Sequence, residues 1–244
     1  MEKNFKFSFL SANIIKILGA IFMVIDHIGV ILFPNVIFLR ILGRLSMPLF
    51  AYMIAEGAHY TKNKLKYFLL IFGLGVIFQV VFYAIEQSLY MGILITFSTS
   101  ILIIYALQLF KAKIFNKTIV LTILSFLLFA TSIVITFFLN KYLQIDYGFW
   151  GCLLPVFASV FRLKIDNSKS VKTFDNVPLN VLTFSVALIF IRTPLGTIQN
   201  YALLTLPILL LYSGKRGKIN LKFFFYIFYP LHLVIIYAIS YFIN

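Results

Sequence analysis

Four charged or ionisable side chains stand inside the first two apolar stretches of the sequence. Asp26 and His27 lie in the first stretch, and Arg40 and Arg44 lie in the second, beyond a short turn at 33–35. A charged side chain at the centre of a membrane costs roughly 2.5–3.5 kcal/mol on insertion scales, so such residues usually face the protein interior and one another. Histidine takes and gives a proton near neutral pH, and arginine offers a planar donor fork to a carboxylate, a phosphate or a developing oxyanion. These residue types suit acyl transfer with acid–base catalysis.

A purely structural interpretation of the same residues is also available. Asp26 can pair with Arg40 or Arg44 simply to stabilise two neighbouring helices, and such a pair carries no chemistry of its own. The pair alone explains less well why a histidine and a second arginine stand beside it. From the sequence alone, both interpretations stand.

Helix geometry places three of the four residues at a common depth. At 1.5 Å per residue, His27 lies about 10 Å below the turn at Pro34, and Arg44 lies about 12–14 Å below it on the descending helix. Arg40 is one turn nearer to the membrane surface, about 6–8 Å down, on the same helix face as Arg44. Helices joined by so short a turn must pack together. Asp26, His27 and Arg44 are therefore expected to form one polar site in the outer half of the membrane.

The composition indicates an integral membrane protein. Hydrophobic residues make up 62% of the 244 residues and charged residues 11%, against about 45–50% and 25% in soluble domains. The net charge of +14 does not favour nucleic-acid binding, because the basic residues lie in short loops where they orient helices against the cytoplasmic leaflet. The single cysteine, Cys152, excludes an internal disulfide and a cysteine-rich metal site.

Apolar stretches long enough to cross about 30 Å of hydrocarbon divide the chain into about nine helices. They fall at 14–33, 36–57, 67–86, 90–110, 118–139, 149–162, 177–193, 199–213 and 222–243. The first follows a basic N-terminus without a small-residue cleavage site, so a retained transmembrane helix is expected rather than a signal peptide. The predicted fold class is all-α, a polytopic transmembrane helical bundle that forms a single integral-membrane domain over residues 1–244. The longest polar stretch, 164–176, is predicted to be a cytoplasmic loop.

The basic residues predict the orientation of the helices. With the N-terminus in the cytoplasm, 17 of the 21 basic residues fall in cytoplasmic segments, as the positive-inside rule requires. These residues are Lys3, Lys6, Lys16, Lys62, Lys64, Lys66, Lys111, Lys113, Lys117, Arg162, Lys164, Lys169, Lys172, Lys215, Arg216, Lys218 and Lys222. Lys141 and Arg192 fall near outside loops. Nine helices, N-in and C-out, therefore fit, whereas eight require two basic loops on opposite sides of the membrane.

Further polar residues lie near predicted helix ends. Glu56 and His59 stand three residues apart at the cytoplasmic end of the second helix, where an interfacial helix end also tolerates both. Asp146 and Tyr147 begin the sixth helix from the outside. An acidic residue there is equally an N-terminal helix charge, and aromatic residues form a normal interfacial belt.

The last helix carries Tyr229, Pro230 and His232 near its middle. Pro230 is expected to kink the helix, and His232 falls near the bilayer midplane, about 15 Å from Lys222. His232 either makes a hydrogen bond between helices or lines a polar pocket. The sequence has no metal-ligand spacing and no glycine-rich phosphate loop, so a nucleotide-like cofactor would have to use basic loops and buried arginines.

Several blocks of the sequence, taken in order, resemble one known family. They are VIDHIGVILFP, LRILGRLSMPLFAYMIAEG with the basic HYTKNKLKY after it, DYGFWGCLLPVFA and FYIFYPLHLVIIYAI. Together they resemble the TraX family of polytopic bacterial membrane proteins, named for the enzyme that N-acetylates conjugative pilin. That family is similar to a larger class of integral-membrane acyltransferases that take an acyl group from acyl-CoA. The resemblance is good in the opening hairpin and the last helix, and weaker over 110–140 and 165–220.

The resemblance extends to specific residues only where the blocks match. The matching residues are Asp26, His27, Arg40, Arg44, Pro48, Glu56, Gly57, Asp146, Tyr147, Gly148, Tyr229, Pro230 and His232. One departure lies after the third helix, where 95–98 reads Ile-Thr-Phe-Ser in place of a more polar block that contains asparagine. Pilin as the substrate does not follow from the sequence.

These observations predict a membrane-bound acyltransferase that moves acetyl from acetyl-CoA to an amine or hydroxyl, without a metal. His27, oriented by Asp26, would deprotonate the acceptor. Arg44, with Arg40, would hold the thioester oxygen or an acceptor carboxylate. The residues expected to bind substrate are Arg40, Glu56, Asp146, Tyr147, Tyr229 and His232. His232 is also expected to act in a second proton transfer. The residues expected to attract the anionic acetyl-CoA are Lys62, Lys64 and Lys66.

The depth of the site suits an acceptor outside the cytoplasm: an exported protein, a lipid or a surface glycan at the bacterial cytoplasmic membrane. The alternative is a secondary transporter, in which intramembrane Asp, His and Arg residues form a proton relay or an anion site. A transporter predicts inverted repeats and broken helices in matched positions. Neither is visible in the sequence, although the short sixth and eighth helices leave room for a break.

Overall fold

Helices form most of the protein. A computed structural model describes residues 8–116, 118–167, 170–219 and 221–243. The helices are α1 (Ala12–Ile31), α2 (Ile37–Gly43), α3 (Ser46–Tyr60), α4 (Lys64–Glu86), α5 (Ile93–Phe115), α6 (Ile119–Tyr142), α7 (Gly148–Phe157), α8 (Val177–Leu195), a 3-10 helix (Thr197–Leu204), α9 (Thr205–Leu210) and α10 (Lys222–Ile243).

Each of the nine predicted apolar stretches is helical, which confirms the all-α fold class and a multi-pass membrane protein. Within the described residues, five spans are long and apolar enough to cross a membrane. They are Ala12–Ile31, Ile37–Tyr60, Lys64–Ala84, Ile93–Phe115 and Ile119–Tyr142. The N-in, C-out orientation stays a prediction. Of the lysines on which it rests, Lys3, Lys6, Lys117 and Lys169 lie outside the described residues.

The second span is interrupted just before its proline. α2 ends at Gly43 and α3 begins at Ser46, so Arg44 caps α2, its backbone N–H reaching the carbonyl of Arg40 at 3.2 Å. Pro48 has no N–H to donate to the carbonyl one turn earlier, so a continuous helix would lose a hydrogen bond there. The Ser46 hydroxyl instead donates to the carbonyl of Gly19 on α1 at 2.9 Å.

A β-hairpin occupies most of the stretch for which a loop is predicted. β1 (Arg162–Asn167) pairs antiparallel with β2 (Ser170–Asp175), with Arg162 opposite Asp175. Leu163 and Ile165 alternate with polar residues in the sequence, which is the period of a strand. The polar composition of 164–176 predicted a loop, whereas the alternation of apolar and polar residues indicates a strand.

The chain forms two compact units. The first comprises 1–53 and 188–244, and the second comprises 54–187. In the first, α1 packs against α2 and α10, and the 3-10 helix packs against α2 and α9. In the second, α5 packs against α4, α6, α7 and β1. The single domain over residues 1–244 stays a prediction.

Candidate functional site

Asp26 lies between the two arginines of the second span, all three in the first unit. The Arg44 Nη2 atom donates to both carboxylate oxygens, at 2.9 and 3.1 Å, and Arg40 Nη1 lies 2.9 Å from Oδ1. The Arg44 side chain is 12% exposed and that of Arg40 is 27% exposed. The prediction that helix geometry brings Asp26 and Arg44 together is thereby confirmed. One carboxylate between two guanidinium groups leaves a net positive charge, which favours an anion or a developing oxyanion.

The backbone of α2 approaches Asp26 closely at Gly43. A Cβ atom at Gly43 would overlap the Asp26 carboxylate, so the absence of a side chain there lets the carboxylate reach both arginines. Gly43 is thus part of the geometry of the site even though it has no functional group.

Gly43→Ala is expected to destabilise the protein by about 1–3 kcal/mol, because the added methyl group overpacks against Asp26 and displaces it from the arginines. Thermal unfolding in detergent, followed by the fluorescence of Trp150, measures the effect. The matched control is Gly73→Ala in α4, where a Cβ meets no described atom within 4 Å and alanine is the better helix former. An unchanged melting temperature for Gly43→Ala would contradict the close contact.

His27 pairs with His232 of the last helix. The Nδ1 atom of His27 lies 3.2 Å from Nε2 of His232, and the ring centroids are 5.1 Å apart. His232 also stacks on Phe228 at 5.2 Å, and the Tyr229 ring lies 6.0 Å from it. His232 and the backbone of Met23 therefore hold the His27 ring, whereas Asp26 directs its carboxylate to the arginines.

Hydrogen bonding fixes the tautomers of the neutral pair. Nδ1 of His232 lies 2.9 Å from the carbonyl of Phe228, and a carbonyl only accepts, so this nitrogen carries the proton. Nε2 of His232 is then the acceptor, and Nδ1 of His27 must donate to it. Nε2 of His27 is left as the nitrogen with a lone pair, which is the form that a general base requires.

Six of the predicted residues thus share one place in the first unit, and the other six belong to the second unit. The first set is Asp26, His27, Arg40, Arg44, Tyr229 and His232, and the second is Glu56, Asp146, Tyr147, Lys62, Lys64 and Lys66. Among the described residues, no group of three or more His, Cys, Asp or Glu side chains is close enough to hold a metal ion.

Asp146 lies at the start of α7, beside the beginning of α5. Its carboxylate accepts from the Tyr90 hydroxyl, and its carbonyl accepts from the Thr96 hydroxyl at 2.8 Å. Tyr147 has a φ of 59°, the left-handed conformation that turns the chain into α7. Tyr90 was not singled out from the sequence, because only the fold brings it to Asp146.

The residues at 95–98, which depart from the family pattern, lie where α5 contacts the segment that leads into α7. Thr96 is fully buried and bonds the carbonyl of Asp146, and Ser100, one turn later, donates to the carbonyl of Cys152 at 2.7 Å. These hydroxyls serve helix packing, as small polar residues do between membrane helices.

The three lysines predicted to attract the donor surround the start of α4. Lys62, Lys64 and Lys66 are exposed, and the Asn63 side chain caps the helix by accepting from the backbone N–H of Lys66 at 2.8 Å. The ammonium of Lys64 lies 5.2 Å from the centroid of the Tyr105 ring. Exposed cations at a helix N-terminus, which is itself a positive dipole end, suit an anionic ligand.

A second buried charge cluster lies near the other end of α5 from Asp146. Glu56 forms an ion pair with Arg162, whose side chain is 0% exposed, and His59 is buried as well. The Lys111 ammonium donates to the carbonyls of Ser159 (2.9 Å), Val160 and Arg162 (3.2 Å), beyond the end of α7.

Arg162 and Lys111 are residues that sequence reasoning missed, because both were assigned to cytoplasmic segments. One signal was present: a carboxylate inside an apolar span, such as Glu56, needs a cationic partner. Arg162, the last residue of the apolar stretch 149–162, was available for that role.

Comparison with known proteins gives a family match over nearly the whole chain. The family model described as TraX protein matches residues 11–240. A protein of Rickettsia prowazekii (strain Madrid E), described as Uncharacterized protein RP591, is 38% identical over 68 residues, which is 28% of this chain. The matched part is 25% of that protein's length, so the chain spans about a quarter of this curated relative. No solved structure matches the chain significantly.

Proposed function

The chain belongs to the TraX family, and on that premise we propose that it is a membrane-bound acyltransferase. The reaction proposed is transfer of an acetyl group from acetyl-CoA to an amine or hydroxyl of an exported protein, a lipid or a surface glycan. The resemblance to a family named for a pilin N-acetylating enzyme supports the reaction class. The acceptor is proposed from the predicted depth of the site in the outer half of the membrane.

One observation carries the proposal. His27, whose imidazole is hydrogen-bonded to that of His232, directly follows Asp26 in the chain, and the Asp26 carboxylate is bound by two arginines. A general base beside a net positive charge is the combination that acyl transfer needs, because the base takes a proton while the cation stabilises the oxyanion.

The proposed mechanism follows from the tautomers. Nε2 of His27 takes the proton of the acceptor N–H or O–H as that atom attacks the thioester carbonyl. The attack forms the C–N or C–O bond and a tetrahedral oxyanion, which Arg44 or Arg40 stabilises. Collapse of this intermediate re-forms the carbonyl and breaks the C–S bond. The proton held by His27 then passes to the departing thiolate, giving CoA. While His27 is an imidazolium, the hydrogen bond from its Nδ1–H to His232 is charge-assisted and strengthens.

This mechanism revises the expected role of Asp26. The carboxylate serves to hold the two guanidinium groups at the site, and His232 takes over the orientation of His27. His232 is therefore proposed as a positioning residue, and Tyr229 lines the same region. Glu56, Asp146 and Tyr147 keep their proposed part in substrate binding, and Lys62, Lys64 and Lys66 their proposed part in attracting acetyl-CoA from the cytoplasm.

The proposed location is the bacterial cytoplasmic membrane, with the N-terminus inside. In that orientation α1 runs from the cytoplasmic side to the outer side, and Asp26 and His27 lie nearer its outer end. An acceptor on the outer side and a donor on the cytoplasmic side then meet at this site.

A second candidate function, secondary transport, is favoured by one observation. The second span breaks between Gly43 and Ser46, and the eighth begins as a 3-10 helix before it becomes α9. Broken helices are typical of transporters, where they bind substrates and ions at mid-membrane.

Purified protein in liposomes, given radiolabelled acetyl-CoA and an extract of membrane and surface material, distinguishes the two functions. We expect label in a protein, lipid or glycan fraction, and none with protein-free liposomes. Flux of label or of solutes across the liposome membrane without covalent transfer would contradict the enzyme and favour the transporter. A Lys141→Ala variant, changed at an exposed position, is expected to behave as wild type.

A further inference from the structure

A buried amide without a partner lies on the 3-10 helix of the first unit. Gln199 is 1% exposed, and within the described part of the chain neither its Oε1 nor its Nε2 has a hydrogen-bond partner. Oδ1 of the adjacent Asn200 is likewise buried and unbonded among the described residues. A buried amide left unpaired is costly, so such groups are usually satisfied by ordered water or by a ligand.

The position of Gln199 is set by its short helix. Gly196, with a φ of 82°, turns the chain out of α8, and the 3-10 helix then places every third residue on one face. Gln199, Ala202 and Thr205 form that buried face. The Thr205 hydroxyl is satisfied by the carbonyl of Ala202 at 2.7 Å, which leaves Gln199 as the unsatisfied polar group of the face.

The 3-10 helix packs against α2, the helix that carries Arg40 and is capped by Arg44. An amide that can both donate and accept therefore lies on an element that packs against the helix next to the Asp26 site. The residues near α2 thus offer a cationic fork for an oxyanion or carboxylate and a neutral donor–acceptor pair for an amide.

We infer that Gln199 is a substrate-binding residue that recognises a secondary amide of the substrate, an inference that rests on the proposed acyl transfer. Acetyl-CoA carries secondary amides in its pantetheine arm, and a peptide or acetamido sugar carries them in the acceptor. Both sources present one N–H and one C=O, and the side chain of Gln199 pairs with either group. Asn200 Oδ1 adds a second acceptor.

Equilibrium binding to the full-length purified protein tests the inference with three probes. They are CoA, the adenosine bisphosphate part of CoA without its pantetheine arm, and the dipeptide amide Ala-Ala-NH2. Gln199→Met is expected to weaken one amide-bearing probe by roughly 3- to 10-fold, the loss of one hydrogen bond, and to leave the adenosine bisphosphate unchanged. Weakened CoA identifies the donor arm as the source, and weakened dipeptide amide identifies the acceptor.

The stability of the variant separates a ligand role from a packing role. Methionine replaces an unpaired buried amide with an apolar group of similar shape, so the ligand-free melting temperature of Gln199→Met is expected to equal or exceed that of wild type. If that variant fails to fold, Gln199→Asn, which withdraws the amide by one methylene, serves the same comparison. The matched control is Gln108→Met in α5, where Nε2 is also buried and unbonded among the described residues; all three affinities should be unchanged.

Two results would overturn the inference: Gln199→Met binds CoA and the dipeptide amide as wild type does, or wild type binds neither. Either result means that Gln199 does not recognise an amide of the substrate. Acetyl transfer on the same samples separates this failure from failure of the proposed function. If wild type and Gln199→Met transfer acetyl with equal KM and kcat, the proposed function is supported and the binding role of Gln199 is wrong. If amide binding depends on Gln199 but no acetyl is transferred, the proposed acyltransferase function is wrong and the binding role of Gln199 is supported.

Discussion

His27→Ala is expected to lower the rate of acetyl transfer by about 10²- to 10⁴-fold, the usual contribution of a general base. Nε2 of His27 is the nitrogen of the pair left to accept a proton, so alanine removes the base itself. His232→Ala is expected to cost less, because the base remains and only the acceptor for its Nδ1–H is lost. His232→Gln should recover part of that loss, since its carbonyl oxygen also accepts a hydrogen bond.

The pH profile of transfer distinguishes catalysis from mere packing. Transfer by wild type should fall as the pH is lowered, because a protonated imidazole cannot take a proton, and the residual activity of His27→Ala should lose that limb. Ser240→Ala is the control on α10, since among the described residues the Ser240 hydroxyl bonds only within its own helix, to the carbonyl of Tyr237. If His27→Ala transfers acetyl at the rate of wild type, His27 is not the base. Equal losses for His232→Ala and His232→Gln would remove the positioning role from His232.

The contacts that sequence reasoning anticipates are those fixed by local geometry. The approach of Asp26 to Arg44 follows from the rise of two helices joined by a short turn, and the structure contains that ion pair. The nine helical segments follow from apolar length. The break at Gly43 also has a local cause, the proline four residues after Arg44, and it could have been predicted from Pro48.

The contacts that escape sequence reasoning join residues far apart in the chain. His27 and His232 are separated by 205 positions, and neither spacing nor hydropathy indicates which helices become neighbours. Asp26, adjacent to His27 in sequence, was therefore the expected partner, although successive residues of a helix do not face each other. Arg162 was counted among loop cations because the positive-inside rule describes the average loop residue, whereas its burial depends on the tertiary position of Glu56.

Breaking the ion pair of Glu56 and Arg162 is expected to have the largest effect on stability. Arg162→Leu leaves the carboxylate of Glu56 buried without its cation, and Glu56→Leu leaves the guanidinium of Arg162 buried without its anion. Each single change is expected to cost about 3–5 kcal/mol, whereas a well-packed apolar replacement of both partners is often neutral or stabilising. The double variant Glu56→Leu with Arg162→Leu should therefore melt at a higher temperature than either single variant.

The double-mutant comparison identifies what the pair contributes. The three variants and wild type are compared by thermal unfolding in detergent, with Lys141→Met as the control for loss of an exposed charge, which typically changes stability by no more than about 0.5 kcal/mol. A double variant whose loss of stability equals the sum of the two single losses would show that no ion pair couples them. Recovery of stability without recovery of acetyl transfer would assign the pair a functional part beyond folding, since leucine restores the packing but neither charge. Recovery of both would make Glu56 a structural residue and remove it from the substrate-binding set.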